Sequence, residues 1–119
     1  MLPAAHRLRR STDFGRTVRE GVRAGRSTMV VHHLAPGDGD GPAMVGFVVS
    51  KAVGNAVTRN LVKRRMRALM AQQMEQLPEG TVTVVRALPA SARSTYAGLE
   101  RDLHRCLARL PLHVTEMRP

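Results

Sequence analysis

A two-layer α+β sandwich, with helices packed on a small sheet of about four strands in the order α-β-β-α-β-α, is the fold class this sequence predicts. Two β-branched segments, Ser27 to Leu34 and Met44 to Ser50, flank the turn-forming cluster Pro36 to Pro42, and a third segment runs from Thr81 to Leu88. Two helical stretches follow the second and third strands. The first runs from Ala56 to Met74 without glycine or proline, and the second spaces Leu99, Leu103, Cys106, Leu107 and Leu110 as one amphipathic stripe. With 119 residues the chain is long enough for one core, so a single domain over 1–119 is expected, ordered from about 7 to 110. The termini and the loop 35–42 are expected to be flexible.

In chain order, Ser11 to Gly21 reads as a short helix with Phe14 and Val18 one turn apart. The two strands that follow suggest an antiparallel hairpin across the Pro36 to Pro42 loop. Alternation along them puts Met29, Val31, Val45, Phe47 and Val49 on a core face. The opposite face carries Thr28, Val30, His32, Val48 and Ser50, a mixture that predicts a partly open surface. Gly54 and Asn55 supply a turn and an N-cap for the long helix, which ends before Pro78. Thr81 to Leu88 is closed by Pro89, and the last helix starts from Ser94 or Thr95.

Charge sets the chain apart. It carries 19 Lys and Arg against 9 Asp and Glu, a net +10. Such a surplus repels itself unless a polyanion is near. The cations are almost all Arg, whose planar fork grips phosphate in bidentate fashion. Cys106 is the single cysteine, which precludes an intrachain disulfide and suits a reducing, cytoplasmic setting. No apolar run reaches the ~20 residues of a membrane span, and without Trp a membrane-surface anchor is not expected.

The cations concentrate in one helix. On a helical wheel that starts at Arg59, the residues Lys63, Arg67, Asn60 and Arg64 follow in that angular order and share one side with it. Val62, Met66 and Leu69 fall together on the other side, with Met70 close by, forming a buried stripe. From Lys51 to Arg67 no acid offsets Lys51, Arg59, Lys63, Arg64, Arg65 and Arg67. A merely solvated helix mixes signs, because like charges at i and i+4 cost a few tenths of a kcal/mol. Against phosphates the same concentration is favourable, since neutralisation releases counterions.

The string from Ser50 to Arg67, SKAVGNAVTRNLVKRRMR, resembles the signature of the bacterial ribonuclease P protein component. Arg7 to Phe14 (RLRRSTDF) and Arg86 to Pro89 (RALP) are similar to other segments of that family, so the resemblance spans most of the chain. It implies a fold like the second domain of ribosomal protein S5, with a left-handed crossover through the basic helix. It also implies a subunit that assists a catalytic RNA in cutting precursor tRNA to free its mature 5′ end, without performing the hydrolysis. On the matching positions, Lys51, Arg59, Asn60, Lys63, Arg64 and Arg67 inherit RNA contact. Phe14, Val18, Val30, His32, Val48 and Ser50 fall where the family's cleft for the 5′ leader should lie. The implied partners are the RNA subunit and precursor tRNA, with a monomeric free protein. No cofactor is expected on the protein alone, and Mg²⁺ is expected in the RNA holoenzyme.

Two departures stand out. Leu61 occupies a position where the family usually has Arg, and on the wheel it lies outside both the basic arc and the core stripe. Val18 and His32 replace cleft aromatics, which should weaken base stacking, worth about 1–3 kcal/mol per base.

No other chemistry competes strongly. The nine carboxylates are scattered rather than grouped as in a metal-dependent nuclease. His32 and His33 point to opposite faces of a strand, so no catalytic or metal site is expected. The alternative reading is a structural ribosomal or other rRNA-binding protein, which would share size and charge but not the Ser50 to Arg67 string.

Overall fold

The computed structural model describes residues 6–8, 11–35 and 41–111. The predicted flexible termini and most of the loop 35–42 lie outside the described residues. Three helices, α1 (Ser11–Glu20), α2 (Ala56–Ala71) and α3 (Tyr96–Arg109), accompany four strands, β1 (Val22–Gly25), β2 (Met29–Leu34), β3 (Met44–Val48) and β4 (Val82–Ala87). The α+β class and the four-strand sheet agree with the sequence reading. The strand added to the predicted order is β1, a short edge segment with only Ala24 buried.

The sheet order is β1-β2-β4-β3, and this corrects the predicted hairpin. β2 and β3 do not pair. β2 lies antiparallel between β1 and β4, whereas β3 runs parallel to β4 on the far side. The hairpin is instead β1–β2, turning through Arg26 to Thr28, so the predicted strand loses its first two residues to that turn. Asp102 of α3 explains why the turn holds. Its buried carboxylate accepts from Thr28 Oγ1 at 2.6 Å, from the Thr28 amide at 3.3 Å and from Ser27 Oγ at 3.5 Å. β3 and β4 need the long connection that α2 supplies, since parallel neighbours cannot be joined by a tight turn.

Strand alternation sorts the layers. Met29, Val31, Val45, Val85 and Ala87 face α2 and α3, where Val62, Met66, Leu69, Met70, Leu99, Leu103, Cys106, Leu107 and Leu110 complete the core. The predicted stripes of both helices are therefore the buried ones. Burying one such Leu or Met contributes roughly 1.5–3 kcal/mol. α1 lies against the opposite face, with Thr17 fully buried and its hydroxyl donating to the Asp13 carbonyl at 2.8 Å.

Candidate nucleic-acid interface

Local chemistry sets the start of α2. Gly54 adopts φ 154°, a conformation that a side chain disfavours, and Asn55 then caps the helix by accepting the Thr58 amide at 2.9 Å. On the face away from the core, Asn60 and Arg64 are exposed while Arg59, Lys63 and Arg67 are half-buried along their stems. No described carboxylate pairs with a cation of α2. Arg59 is held in place, its Nε donating to the Gly54 carbonyl at 3.1 Å. Lys51 stands exposed in the 3₁₀ turn Lys51–Val53 just ahead.

Arg65 behaves differently from its neighbours. Its Nη1 donates to the Ser94 carbonyl at 3.3 Å, tying α2 to the segment before α3. The fold thus uses the Arg65 guanidinium for a contact between α2 and the segment before α3, and Arg65 is not in the predicted contact set. Leu61 is half-buried, and Val57, one turn earlier, is 79% exposed, so an apolar strip borders the basic arc.

Two grooves adjoin the arc. One, of about 460 Å³, is lined by Arg7, Asn60, Lys63, Arg64, Arg67 and Ala68. The other, of about 330 Å³, is lined by Arg7, Leu8, Phe14, Val45, Gly46, Phe47, Lys63 and Arg67. Arg7, Lys63 and Arg67 belong to both, so basic helix and sheet edge form one continuous surface. The N-terminal segment closes that edge, since Leu8 N–H donates to the Val45 carbonyl at 2.9 Å. Sequence reasoning missed Arg7 because nothing in a basic N-terminus says which residue returns to the sheet.

The predicted leader cleft divides into open and closed parts. On the α1 side of the sheet, one cross-strand row reads Arg23, His32, Val84 and Gly46, and the next reads Gly25, Val30, Arg86 and Val48. Phe14 packs its ring on Gly46 and covers the first row at its β3 end. Val18 is 42% exposed on α1, and Ser50 is exposed just beyond β3. Val30 and Val48 are half-buried and flank Arg86. His32 is on the predicted face but is only 1% exposed, so its ring is not offered for stacking. Both of its ring nitrogens are buried without a partner. Burial first, then the Arg86 and Arg23 charges, hold its imidazole below its ordinary value of 6.5.

His33 projects to the core side and pairs its Nδ1 with Thr83 Oγ1 at 2.9 Å, and burial lowers its basicity too. Burial, with Asp102 nearby, pushes the Cys106 thiol up, the behaviour of a packed and inert sulfhydryl. Among the described residues no three His, Cys, Asp or Glu side chains gather as a metal site, and no helix is long and apolar enough to cross a membrane. The arrangement of cations suits the binding and orientation of polyanions.

The family model of ribonuclease P matches residues 2–111. The chain belongs to the ribonuclease P protein family. Among its relatives, the ribonuclease P protein component of a Nocardioides species is 54% identical over 116 residues, covering 97% of this chain and 99% of that protein. That of Beutenbergia cavernae is 55% identical, covering 94% and 93%. The solved Staphylococcus aureus RNase P protein superposes with a TM-score of 0.78 at 26% identity, covering 87% of this chain and 94% of that one. The Thermotoga maritima RNase P protein gives 0.70 at 25% identity, with coverage of 83% and 92%. Membership of the ribonuclease P family decides against the structural ribosomal alternative.

Proposed function

We propose that this chain serves its family's task, maturation of tRNA 5′ ends as the protein subunit of ribonuclease P, through two joined surfaces. Lys51, Arg59, Asn60, Lys63, Arg64 and Arg67 dock the RNA subunit. Phe14, Val18, Val30, Val48 and Ser50, with His32 beneath them, guide the 5′ leader of precursor tRNA. The observation that carries this reading is the uncompensated basic arc of α2, continuous with the sheet edge through Lys63 and Arg67. Arginines one helical turn apart reach successive phosphates, while Asn60 can engage a 2′-hydroxyl.

In this division of labour the chemistry would belong to the RNA, where bound Mg²⁺ would stabilise the attacking and leaving oxygens. The protein acts as a monomer in the cytoplasm and contributes cation density and geometry. Screening repulsion between substrate and RNA subunit lowers the magnesium needed for cleavage. Leu61 removes one charge from the docking face without breaking the arc, because it lies at its border.

Reconstitution with the RNA subunit of the same cell tests the reading. At low magnesium the protein should enhance 5′ cleavage of precursor tRNA and should not cleave alone. Changing Arg59, Lys63 and Arg67 together to Ala should weaken RNA binding and flatten its log–log salt slope by about 2–3. An unchanged slope would falsify the assignment of α2 as the docking helix.

A further inference from the structure

Several described cations without a carboxylate partner lie off the basic helix, and one of them sits inside the sheet. Arg86 is the only charged residue of β4, an inner strand otherwise made of Val, Thr and Ala. Its Cα partners are Val30 on one side and Val48 on the other, the two half-buried valines of the predicted leader cleft. Its Nε is buried without a hydrogen-bond partner, and no described carboxylate pairs with it. On the neighbouring row, His32 leaves both ring nitrogens equally unpartnered, and Arg23 stands directly opposite it on β1.

Arg86 is half-buried, and its buried Nε–H donor, left without an acceptor in the middle of a sheet, carries a desolvation cost. Desolvating a charged donor with no acceptor costs more than exposing it, and a second cation nearby adds to that cost. Most buried donors in folded proteins have a partner, so one left over beside an open row invites an acceptor from outside. α1 covers the neighbouring row but leaves the Gly25, Val30, Arg86, Val48 row half-open, so an acceptor can enter from the α1 side. The valines on either side supply an apolar floor, and the cation supplies one fixed point of negative-charge recognition. A phosphodiester oxygen matches that requirement.

We infer that Arg86 is a phosphate-binding ligand of the cleft, gripping one leader phosphate between Val30 and Val48 with the buried His32 ring on the neighbouring row. The inference rests on the reading of this cleft as the leader's seat and adds the manner of recognition. Where Val18 and His32 forgo stacking, Arg86 supplies a backbone contact instead. Phosphate contacts position a strand without reading its bases, so leader recognition by this chain is tolerant of sequence and sensitive to salt.

The test uses holoenzyme reconstituted with wild-type, Arg86→Gln or Arg86→Lys protein. Two substrates are compared, precursor tRNA with a leader of several nucleotides and precursor tRNA with a single-nucleotide leader. Arg86→Gln should bind the long-leader substrate about three- to tenfold more weakly, with its salt slope reduced by about 0.7–1. Short-leader binding should not change, and Arg86→Lys should recover most of the loss. Thermal melting of each variant checks that the protein remains folded. If wild type prefers the long leader and Arg86→Gln keeps that preference, Arg86 is not the ligand, while the cleft reading stands. If wild type itself ignores leader length, the cleft reading fails and takes this inference with it. Equal loss on both substrates overturns the inference as well, by placing the effect on the RNA subunit or the fold.

Discussion

Replacing Gly46 with Ala probes how tightly α1 is seated on the sheet. Gly46 lies on β3 opposite Val84, and a Cβ there would overlap the Cε1 and Cζ atoms of Phe14 and stand 3.1 Å from Leu8 Cβ. The ring must therefore shift and carry α1 with it, or β3 must yield. Overpacking of this kind costs about 1–3 kcal/mol. Removing a glycine from a strand returns about 0.5–1 kcal/mol, so a net loss of about 1–2 kcal/mol is expected. The sign of the effect is diagnostic, because the clash needs the ring. In a Phe14→Ala background the same change should become nearly neutral, giving a coupling of about 1–2 kcal/mol between the two positions. Urea unfolding followed by far-ultraviolet circular dichroism on the four proteins of the cycle measures it. Equal cost of Gly46→Ala in both backgrounds would refute the claim that Phe14 is seated on this glycine.

Asp102→Ala should destabilise the protein by about 2–4 kcal/mol, because Thr28 and Ser27 lose a shared, buried acceptor; thermal melting reads this, and a loss below about half a kcal/mol would show that the turn holds without it. Stability should also depend on pH through His32 and His33. Both have lowered basicity when folded, so the unfolded chain binds more protons as pH falls through about 6.5. Stability is then complete above that value and declines below it, toward the lower folded values. His32→Leu should reduce this acid sensitivity in urea melts between about pH 5 and 7.5, and a profile identical to wild type would exclude His32 as a contributor. Arg86→Gln should leave the stability of the free protein unchanged or slightly raised, because it removes a buried Nε donor that has no partner, while impairing leader binding; a lowered unfolding midpoint in thermal melts would show that Arg86 supports the fold instead.

Periodicity carried much of this protein to the surface of its sequence. Val62, Met66, Leu69 and Met70 and the leucines of α3 announce their burial by spacing alone, and Gly54 with Asn55 marks the start of α2 by turn and cap chemistry. Pairing was less legible. Adjacent strands in the chain commonly pair, yet β2 and β3 are kept apart because β4 fits between them, and that preference is written in contacts far along the chain. β1 escaped notice because Val22, Arg23, Ala24 and Gly25 bury one side chain and carry no alternation worth reading. Strand parity fixes the direction in which His32 points, whereas its burial depends on where α1 lies, which the sequence does not display. Arg86 carries no pattern of its own in the sequence, and only its strand partners Val30 and Val48 set it beside the predicted cleft residues.

The sheet order also bears on how the protein is made. β4, one of the two inner strands, is the last to leave the ribosome, long after both of its neighbours. Until residues 82–87 arrive, β2 and β3 have no common partner and α2 has no complete layer to rest on. Contacts of such wide sequence separation form late and together. A chain truncated before residue 82 is therefore expected to lose the order of α2, whose core neighbours include Val85 and Ala87. The element that orders the sheet is thus encoded after both strands it joins.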